Sequence, residues 1–294
     1  MKFAMKKIFY MSLMLLAAVA TTSCENGDRD FDDFEGGTTV YFPYQYPVRT
    51  ILLGEGVDYS TELDNNHRFR VMGYGAGTYD SYEFSFNVAV DESLLQGVAF
   101  KDGTPVTLMP SSYYQLQATT STYYGNRMSG VDVQLTDAFF QDPASIRQTY
   151  VLPLRMSGVK GASKILEEMD YTLYCVRFVN PWEGYYLVKG TADQLEKCTI
   201  VHTTTTSLTT CEYENKDGVK MTLSFGSEKD DNCTITGEGV SGSGSFGHGT
   251  EAKAWGNKDR DALYLKYTAG GKSYDETLVL QRRGEFAGTV KEFN

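Results

Sequence analysis

The sequence predicts an all-β protein of two units that is exported from its cell. The first observation is alternation: Phe84, Phe86 and Val88 are separated by single small or polar residues, as in a strand with one buried face. The second is the recurrence of short apolar runs between turn residues, and the third is a leader at the amino terminus. The chain has 294 residues, of which 41% are hydrophobic and 22% charged. This is a globular composition with room for about two domains.

Residues 1–23 are predicted to be a signal peptide. They begin with lysines, continue with an apolar stretch over 8–20 and end in small or polar residues. A transmembrane helix needs about 20 residues, and the apolar stretch is shorter than that. Thr21-Thr22-Ser23-Cys24 resembles a permissive bacterial lipobox, and this resemblance implies lipid attachment at Cys24. A soluble secreted protein, cleaved at an ordinary small-residue site, is the alternative.

Residues 24–37 are predicted to be an acidic tether. The segment is too acidic, and too rich in glycine at its end, to fold independently. An acidic run directly after a lipidated cysteine resembles the export signal of Bacteroidetes lipoproteins that reach the outer face of the outer membrane. We therefore expect a lipid-anchored protein of the outer membrane that faces the cell exterior. The alternative is that the acidity only keeps a linker solvated.

The charge balance excludes two classes of partner. Lys and Arg total 27 against 38 Asp and Glu, which gives a formal charge of −11. Neither a nucleic-acid backbone nor an anionic bilayer face attracts such a protein electrostatically. We therefore expect no nucleic-acid partner.

The first unit, residues 38–179, is predicted to be a β-sandwich. A strand, a turn rich in glycine (Gly73, Gly75, Gly77) and a second strand are expected over 69–90, and only 162–169 suggests a helix, of about two turns. Half-apolar strands bury their faces when two antiparallel sheets pack together. Further strands are predicted at 113–118, 131–135, 150–156 and 171–179.

The second unit, residues 180–294, starts at Asn180-Pro181, because proline interrupts a sheet ladder. Its last pair of strands is expected to form a hairpin around Ala269-Gly270-Gly271-Lys272. The other predicted elements are strands at 182–188, 199–210 and 219–225, with a turn at 215–218.

These residues carry a family resemblance. Val40-Tyr41-Phe42-Pro43 and Tyr150-Val151-Leu152-Pro153 resemble the immunoglobulin-like domain at the start of many Bacteroidetes polysaccharide-utilisation lipoproteins, among them endo-acting N-acetylglucosaminidases that attack host N-glycans. Pro181-Trp182-Glu183-Gly184 and Leu278-Val279-Leu280-Gln281 resemble the lipocalin-like domain of non-enzymatic members. The resemblance implies an immunoglobulin-like β-sandwich followed by a lipocalin-like β-barrel or sandwich, and no catalytic domain.

Motifs for metal or cofactor chemistry are weak. The run 237–242 fits G-x-G-x-x-G, but no helix can start in the glycine-rich segment after it, so we expect an inter-strand loop. Asn257-x-Asp259-x-Asp261 mimics half a calcium loop without its glycine and its final glutamate. We therefore predict no metal and no cofactor. The three histidines, His67, His202 and His248, have no partner at a suitable spacing.

Four cysteines follow Cys24, and they allow three disulfide pairings that the sequence cannot separate. We favour free thiols, because Cys175 lies in a strand-like run where a thiol behaves as a small buried hydrophobe. The other cysteines are Cys198, Cys211 and Cys233.

Aromatic residues are the remaining candidates for a binding site, because sugar rings stack on flat aromatic faces. Trp255 is the best placed, between a glycine-rich loop and a polar turn. We predict that it stacks on a glycan whose hydroxyls bind Asn257, Asp259 and Arg260. The tyrosine pairs 113–114, 123–124 and 185–186 are weaker candidates, since one side chain of each pair should point inward.

The predicted function is a non-catalytic cell-surface lipoprotein that binds glycan for a polysaccharide-utilisation system. Expected partners are glycan, the outer membrane through the lipid anchor, and other surface utilisation proteins. A structural or adhesin-like subunit that binds other proteins is the alternative. The acidic pairs 167–168 and 230–231 are adjacent in polar stretches and so cannot flank a sugar as glycosidase carboxylates do. Carboxylates that are distant in the sequence and brought together by folding are not covered by this exclusion.

Overall fold

The computed structural model describes residues 37–54, 62–63, 67–77, 83–190, 199–252, 259–283 and 293. The regular secondary structure of these residues is nearly all strand, which confirms the predicted all-β class. Within these ranges no helix has the length and apolarity to cross a bilayer. The predicted leader, Cys24, Cys198, Trp255 and Asn257 lie outside them.

Two sheets form the first part of the chain. One has the order β11-β1-β4-β9-β7, with β3 beside β4 and β8 beside β9; the other has the order β2-β12-β10-β5, with β6 beside β10. The strands are β1 (Thr39–Tyr41), β2 (Val48–Leu52), β3 (Glu62–Leu63), β4 (Arg68–Ala76), β5 (Ser85–Val90), β6 (Thr107–Leu108), β7 (Tyr114–Leu116), β8 (Thr122–Gly125), β9 (Met128–Leu135), β10 (Tyr150–Lys160), β11 (Lys164–Ile165) and β12 (Tyr171–Val179).

The two sheets pack face to face, as the sandwich prediction requires. Phe69 of β4 stacks on Tyr174 of β12, with ring centroids 5.5 Å apart, so residues of both sheets meet in one core. The alternation that predicted β5 is confirmed, since Phe84, Phe86 and Val88 are all buried. Each large apolar side chain buried in this way contributes about 1.5–3 kcal/mol.

The predicted glycine-rich turn is wrong in its position. Gly73 and Gly75 lie inside β4, and the chain then crosses to the other sheet instead of forming a hairpin. A Cβ atom on Gly73 would lie 2.5 Å from the Phe86 ring, and one on Gly75 would lie 2.9 Å from the Phe84 ring. The glycines are therefore packing positions, at which β4 admits phenylalanines from the facing sheet.

The helix predicted over 162–169 is also wrong, because β11 occupies this segment and pairs in parallel with β1. The amide of Leu166 donates to the carbonyl of Val40 over 2.9 Å. A helix of two turns is marginal by itself, so the open edge of β1 offers the backbone better partners. The α-helix of this part is α1 (Asp137–Gln141), which buries Phe139 and Phe140.

A closed barrel of eight strands forms the second part, and this confirms the predicted barrel. Successive strands are antiparallel neighbours, and β13 closes the barrel by pairing with β20. The strands are β13 (Gly184–Val188), β14 (Ile200–Thr205), β15 (Thr210–Glu214), β16 (Lys220–Phe225), β17 (Asn232–Gly237), β18 (Val240–Glu251), β19 (Arg260–Ala269) and β20 (Lys272–Arg282).

The turns of the barrel match the sequence prediction with one exception. Gly270 and Gly271 have φ angles of 55° and 79°, so they form the tight hairpin expected between β19 and β20. The run 237–242 is the β17–β18 hairpin and its flanks. The single strand predicted over 199–210 is instead β14, a turn and β15. The Ser207 and Thr210 hydroxyls bond each other in this turn, which interrupts the strand.

The barrel is filled by its own side chains. Trp182 stacks on Phe225 with ring centroids 3.5 Å apart, and both are buried. Cys211 and Cys233 lie in the same core, where burial raises the pKa of the Cys211 thiol and raises that of Cys233 to about 11. The described cysteines, Cys175, Cys211 and Cys233, are buried and form no disulfide among the described residues.

The junction between sandwich and barrel lies between β12 and β13. Strand β12 ends at Val179, β13 begins at Gly184, and Asn180 between them is completely buried. Residues Thr38–Asn294 form one compact unit. Whether the two parts fold independently stays a prediction.

Candidate functional site

Asp259 and Arg260, two of the four predicted glycan-binding residues, lie at the start of β19. Arg260 donates a hydrogen bond from Nη1 to the carbonyl of Gln281, over 3.1 Å, and Asp259 is exposed. Trp255 and Asn257 lie outside the described residues. The structure therefore describes two of the four predicted residues, and both lie on the outer surface where β19 meets β20.

A cleft of about 560 Å³ surrounds Asp259 and Arg260. We call it the arginine cleft, because three guanidinium groups line it. The side chains combine hydrogen-bond donors with carboxylate acceptors, the mixture that sugar hydroxyls need. The lining residues are Asp259, Arg260, Asp261, Leu280, Gln281, Arg282 and Arg283.

Arg282, Tyr185 and His202 form a cross-strand stack next to the arginine cleft. Tyr185 pairs with Arg282 of β20 on one side and with His202 of β14 on the other. The Arg282 Cζ atom lies 4.5 Å from the centroid of the Tyr185 ring. The rings of Tyr185 and His202 are 4.2 Å apart and within 10° of parallel. Side chains directly opposite each other on one face of a sheet make such contacts.

A second cleft, of about 590 Å³, begins at the far side of His202. We call it the threonine cleft. Thr204, Glu212 and Thr222 form a row across three strands, since Thr204 pairs with Glu212 and Glu212 pairs with Thr222. The lining residues are His202, Thr204, Glu212, Tyr213, Glu214, Lys220, Met221, Thr222 and Gly237.

His202 is held as a flat wall of the threonine cleft. One ring face is stacked on Tyr185, so the opposite face is turned away from Tyr185 and toward β15. The Nδ1 atom lies 3.3 Å from the hydroxyl of Thr204. Burial lowers the pKa of His202, and the nearby Arg282 lowers it further although Glu183 opposes the shift. The ring is thus kept neutral, which suits stacking on an uncharged partner.

The cross-strand stack connects the two clefts, and together they form a polar band on the barrel. The band starts at the end of β19 and β20, where Leu280 of the barrel core also lines the arginine cleft. Arg282 lines the arginine cleft and His202 lines the threonine cleft, and Tyr185 contacts both. Neighbouring strands are about 4.8 Å apart, so a band from β19 to β16 follows an arc of about 24 Å around the barrel. A surface of this length suits an extended, hydroxyl-rich chain better than a single small molecule.

Of the tyrosine pairs, 185–186 follows the predicted alternation, whereas Tyr113 and Tyr114 are both partly buried against the sandwich core. Tyr186 is buried in the barrel core, while Tyr185 lies half-buried on the outer wall. On the sandwich, Tyr124 is 40% exposed but lies under the Arg70 guanidinium, 3.9 Å from its ring centroid. Tyr113 donates a hydrogen bond to Asp142 and is a structural residue.

The described carboxylates do not assemble into a metal site. Among the residues of the described ranges, no group of three or more His, Cys, Asp or Glu side chains is placed to hold a metal ion. Asp261, the last oxygen ligand of the imperfect calcium pattern, accepts a hydrogen bond from the Gly249 amide over 2.8 Å.

Sequence reasoning missed most of this band. The sequence indicates Tyr185 only as a weak candidate and His202 only as an ordinary histidine, and it gives no signal for Arg282. Alternation places Tyr185 and His202 on the outer face. Arg282 has the parity of the buried Leu278 and Leu280, and it meets Tyr185 only because the register shifts where β13 pairs with β20. The two strands are about a hundred residues apart in the chain, so no local sequence pattern indicates this contact.

Comparisons with known proteins place the chain among Bacteroides proteins. A family model described as "-like, N-terminal domain" matches residues 34–163, and the model of a domain of unknown function (DUF5627) matches residues 185–284. A solved structure of a Bacteroides ovatus protein of unknown function is 34% identical, with a TM-score of 0.70, and the match covers 87% of this chain and 98% of that one. No curated protein matches the chain.

Two further solved structures are more distant. An auxiliary nutrient binding protein from Bacteroides thetaiotaomicron is 12% identical, with a TM-score of 0.41, over 79% of this chain and 89% of that one. A candidate carbohydrate binding protein from Bacteroides ovatus is 10% identical, with a TM-score of 0.31, over 87% and 97% of the respective chains. Likeness at this level carries no conclusion about the ligand of the present chain.

Proposed function

The chain belongs to the same protein family as the 34% identical Bacteroides ovatus protein, and we propose that it binds glycan, without catalysis, on the outer wall of its barrel. The observation that carries the proposal is the polar band: the cross-strand stack of Arg282, Tyr185 and His202 joins two clefts rich in hydrogen-bonding groups. The ligand class that matches it is an extended polysaccharide.

The band offers both kinds of contact that a sugar needs. The free face of His202 provides a flat surface for the C–H face of a sugar ring, and the Thr204, Glu212 and Thr222 row provides donors and acceptors for its hydroxyls. Arg260 and Gln281 supply further donors in the arginine cleft. Because the band is built on hydrogen-bonded strands of a closed barrel, little ordering of the protein accompanies binding.

Binding is favoured over hydrolysis by the state of the carboxylates. Glu212 and Glu214 are both exposed on β15. Acid–base catalysis by a pair of carboxylates depends on environments that differ between the two groups. Since both glutamates are exposed, exposure does not distinguish their environments. We therefore propose a binding protein whose lipid anchor at Cys24 displays it on the outer membrane.

The test is glycan binding by matched variants. We expect the wild type to bind a polysaccharide with a Kd around 1 mM per site, about 4 kcal/mol, and to be retarded in affinity gels that contain it. Tyr185→Ala and His202→Ala should each weaken binding about tenfold, because each removes part of the stack. Tyr124→Ala, an exposed tyrosine of the sandwich, is the matched control and should bind as the wild type does.

The predicted stacking residue is tested in the same assay. Trp255→Ala should also weaken binding if Trp255 extends the arginine cleft, provided that the variant unfolds at the same denaturant concentration as the wild type. If a broad glycan panel that includes host N-glycans shows no retention of the wild type, glycan binding is refuted. The adhesin-like alternative is then the better account of the protein.

A further inference from the structure

A groove on the outer face of the sandwich is filled by a residue from the far end of the chain. Its floor consists of Val151, Leu173 and Cys175, which are buried on the faces of β10 and β12 that point away from the sandwich core. Phe293 packs on this floor and is only 7% exposed. It follows the entire barrel in sequence, yet its contacts are with the sandwich.

Phe293 is held by both its ring and its backbone. Its ring centroid lies 5.1 Å from that of Phe100 and 5.3 Å from that of Tyr46. Its backbone forms an antiparallel bridge with Phe100. A pocket for an aromatic side chain together with main-chain pairing is the combination by which sheets recognise extended peptides.

The groove is separate from the core that holds the sandwich together. Leu152, Leu154 and Tyr174 point into the inner core, whereas Val151 and Leu173 belong to the outer cluster. The inner core contains residues of both sheets and does not include Phe293. The sandwich can therefore keep its fold when the groove is emptied.

Two tyrosines stand at the rim of the groove. The hydroxyl groups of Tyr46 and Tyr171 lie 3.1 Å apart, and this hydrogen bond raises the pKa of Tyr171 to about 12. The apolar floor and the two rings favour an aromatic side chain.

We propose that this groove is a peptide-docking site, specific for an aromatic side chain on an extended backbone, and that its resident ligand is the protein's own Phe293. Phe293 thereby joins a residue from beyond the barrel to the sandwich. The same groove accepts a peptide that carries this phenylalanine in trans when the resident side chain is removed.

The experiment uses a fluorescent peptide of residues 284–294 and the full chain as receptor. The wild-type chain should not bind the peptide, because its groove is occupied. The Phe293→Ala chain should bind it in a saturable manner. A peptide with the same Phe293→Ala change should bind at least about tenfold more weakly, since burial of a phenylalanine ring accounts for that factor or more.

A second receptor variant locates the binding site. Tyr46→Ala, added to the Phe293→Ala chain, should weaken binding of the wild-type peptide, because Tyr46 is 43% exposed and forms the rim. Equal binding of the two peptides, or no binding to a folded Phe293→Ala chain, would overturn the proposal. If both Phe293→Ala and Phe293→Leu chains fail to fold, the groove is part of the core, and the proposal is equally overturned.

Discussion

Arg283 donates a hydrogen bond of 2.7 Å from Nη2 to the carbonyl oxygen of Asn180, and so joins the end of the last barrel strand to the junction with the sandwich. The Asn180 amide group donates in turn to the carbonyls of Ser207 and Thr210. Its Oδ1 atom accepts from the Trp182 amide. The sequence indicates Asn180-Pro181 only as an interruption of the sheet. In the structure Asn180 is the centre of a hydrogen-bond network.

Asn180→Ala should lower the free energy of unfolding by about 2–4 kcal/mol, because it leaves several buried backbone and side-chain groups without partners. Urea or guanidinium unfolding measures this change. Asn232→Ala, at an exposed position of β17, is the matched control and should change stability by less than about 0.5 kcal/mol. Equal effects of the two substitutions would show that the junction hydrogen bonds contribute nothing.

Separate expression of the two parts should give two folded, β-rich fragments, residues 38–179 and 180–294. A barrel fragment that starts at residue 182 should unfold at lower denaturant concentration than one that starts at 180, because it lacks the hydrogen bonds of Asn180. Circular dichroism during denaturation compares the two. Failure of both parts to fold alone, while the whole chain folds, would contradict the predicted division.

Gly73→Ala should destabilise the sandwich by about 1–3 kcal/mol, because the new methyl group would overlap the Phe86 ring in a filled core. Gly226→Ala is the control, since its methyl group would meet only the carboxylate end of Asp230, which can move. In a Phe86→Ala background, Gly73→Ala should lower the free energy of unfolding by less, because the methyl group then enters the space that the ring has left. An equal loss of stability in that background would exclude the steric explanation.

Stability should fall as the pH is lowered through the range in which His202 titrates. Its pKa in the folded protein lies below the ordinary value of 6.5, so the unfolded chain binds more protons between the two values. The contribution of neutral His202 to folding stability is complete above about pH 6.5 and is lost as the pH falls toward the lowered pKa. His202→Gln should flatten this part of the stability profile. A variant with the wild-type profile would show that another group is responsible.

Cys24→Ala should release the protein from membranes. Cys24 lies outside the described residues, and its role rests on the lipobox resemblance. Membrane fractionation and mass spectrometry of the acyl chains measure the effect. A variant that still carries acyl chains and sediments with membranes would contradict it. Protease added to intact cells should degrade the wild type if the acidic tether directs it outward, whereas full protection would place it on the periplasmic side.

Local patterns in the sequence predicted which side chains are buried. Alternation is a property of neighbouring residues, so the buried faces of Phe84 and Phe86, and the inward position of one tyrosine of the pair 185–186, could be inferred without knowledge of the fold. The hairpin at Gly270 could be inferred because positive φ angles strongly favour glycine.

Contacts between distant strands could not be inferred in this way. Gly73 is explained only by a phenylalanine in the facing sheet, and the partners of Tyr185 only by closure of the barrel. The binding-site prediction accordingly centred on the polar turn around Asp259, which is visible locally, and overlooked the stack beside it.

Closure of the barrel has a consequence for the timing of biogenesis. The proposed glycan surface combines residues of the first and last barrel strands, so it is complete only after β20 has paired with β13. Contacts between such distant residues form late and slowly. A nascent or clipped chain that lacks β20 therefore presents an incomplete surface, and full ligand retention would report that the barrel is closed.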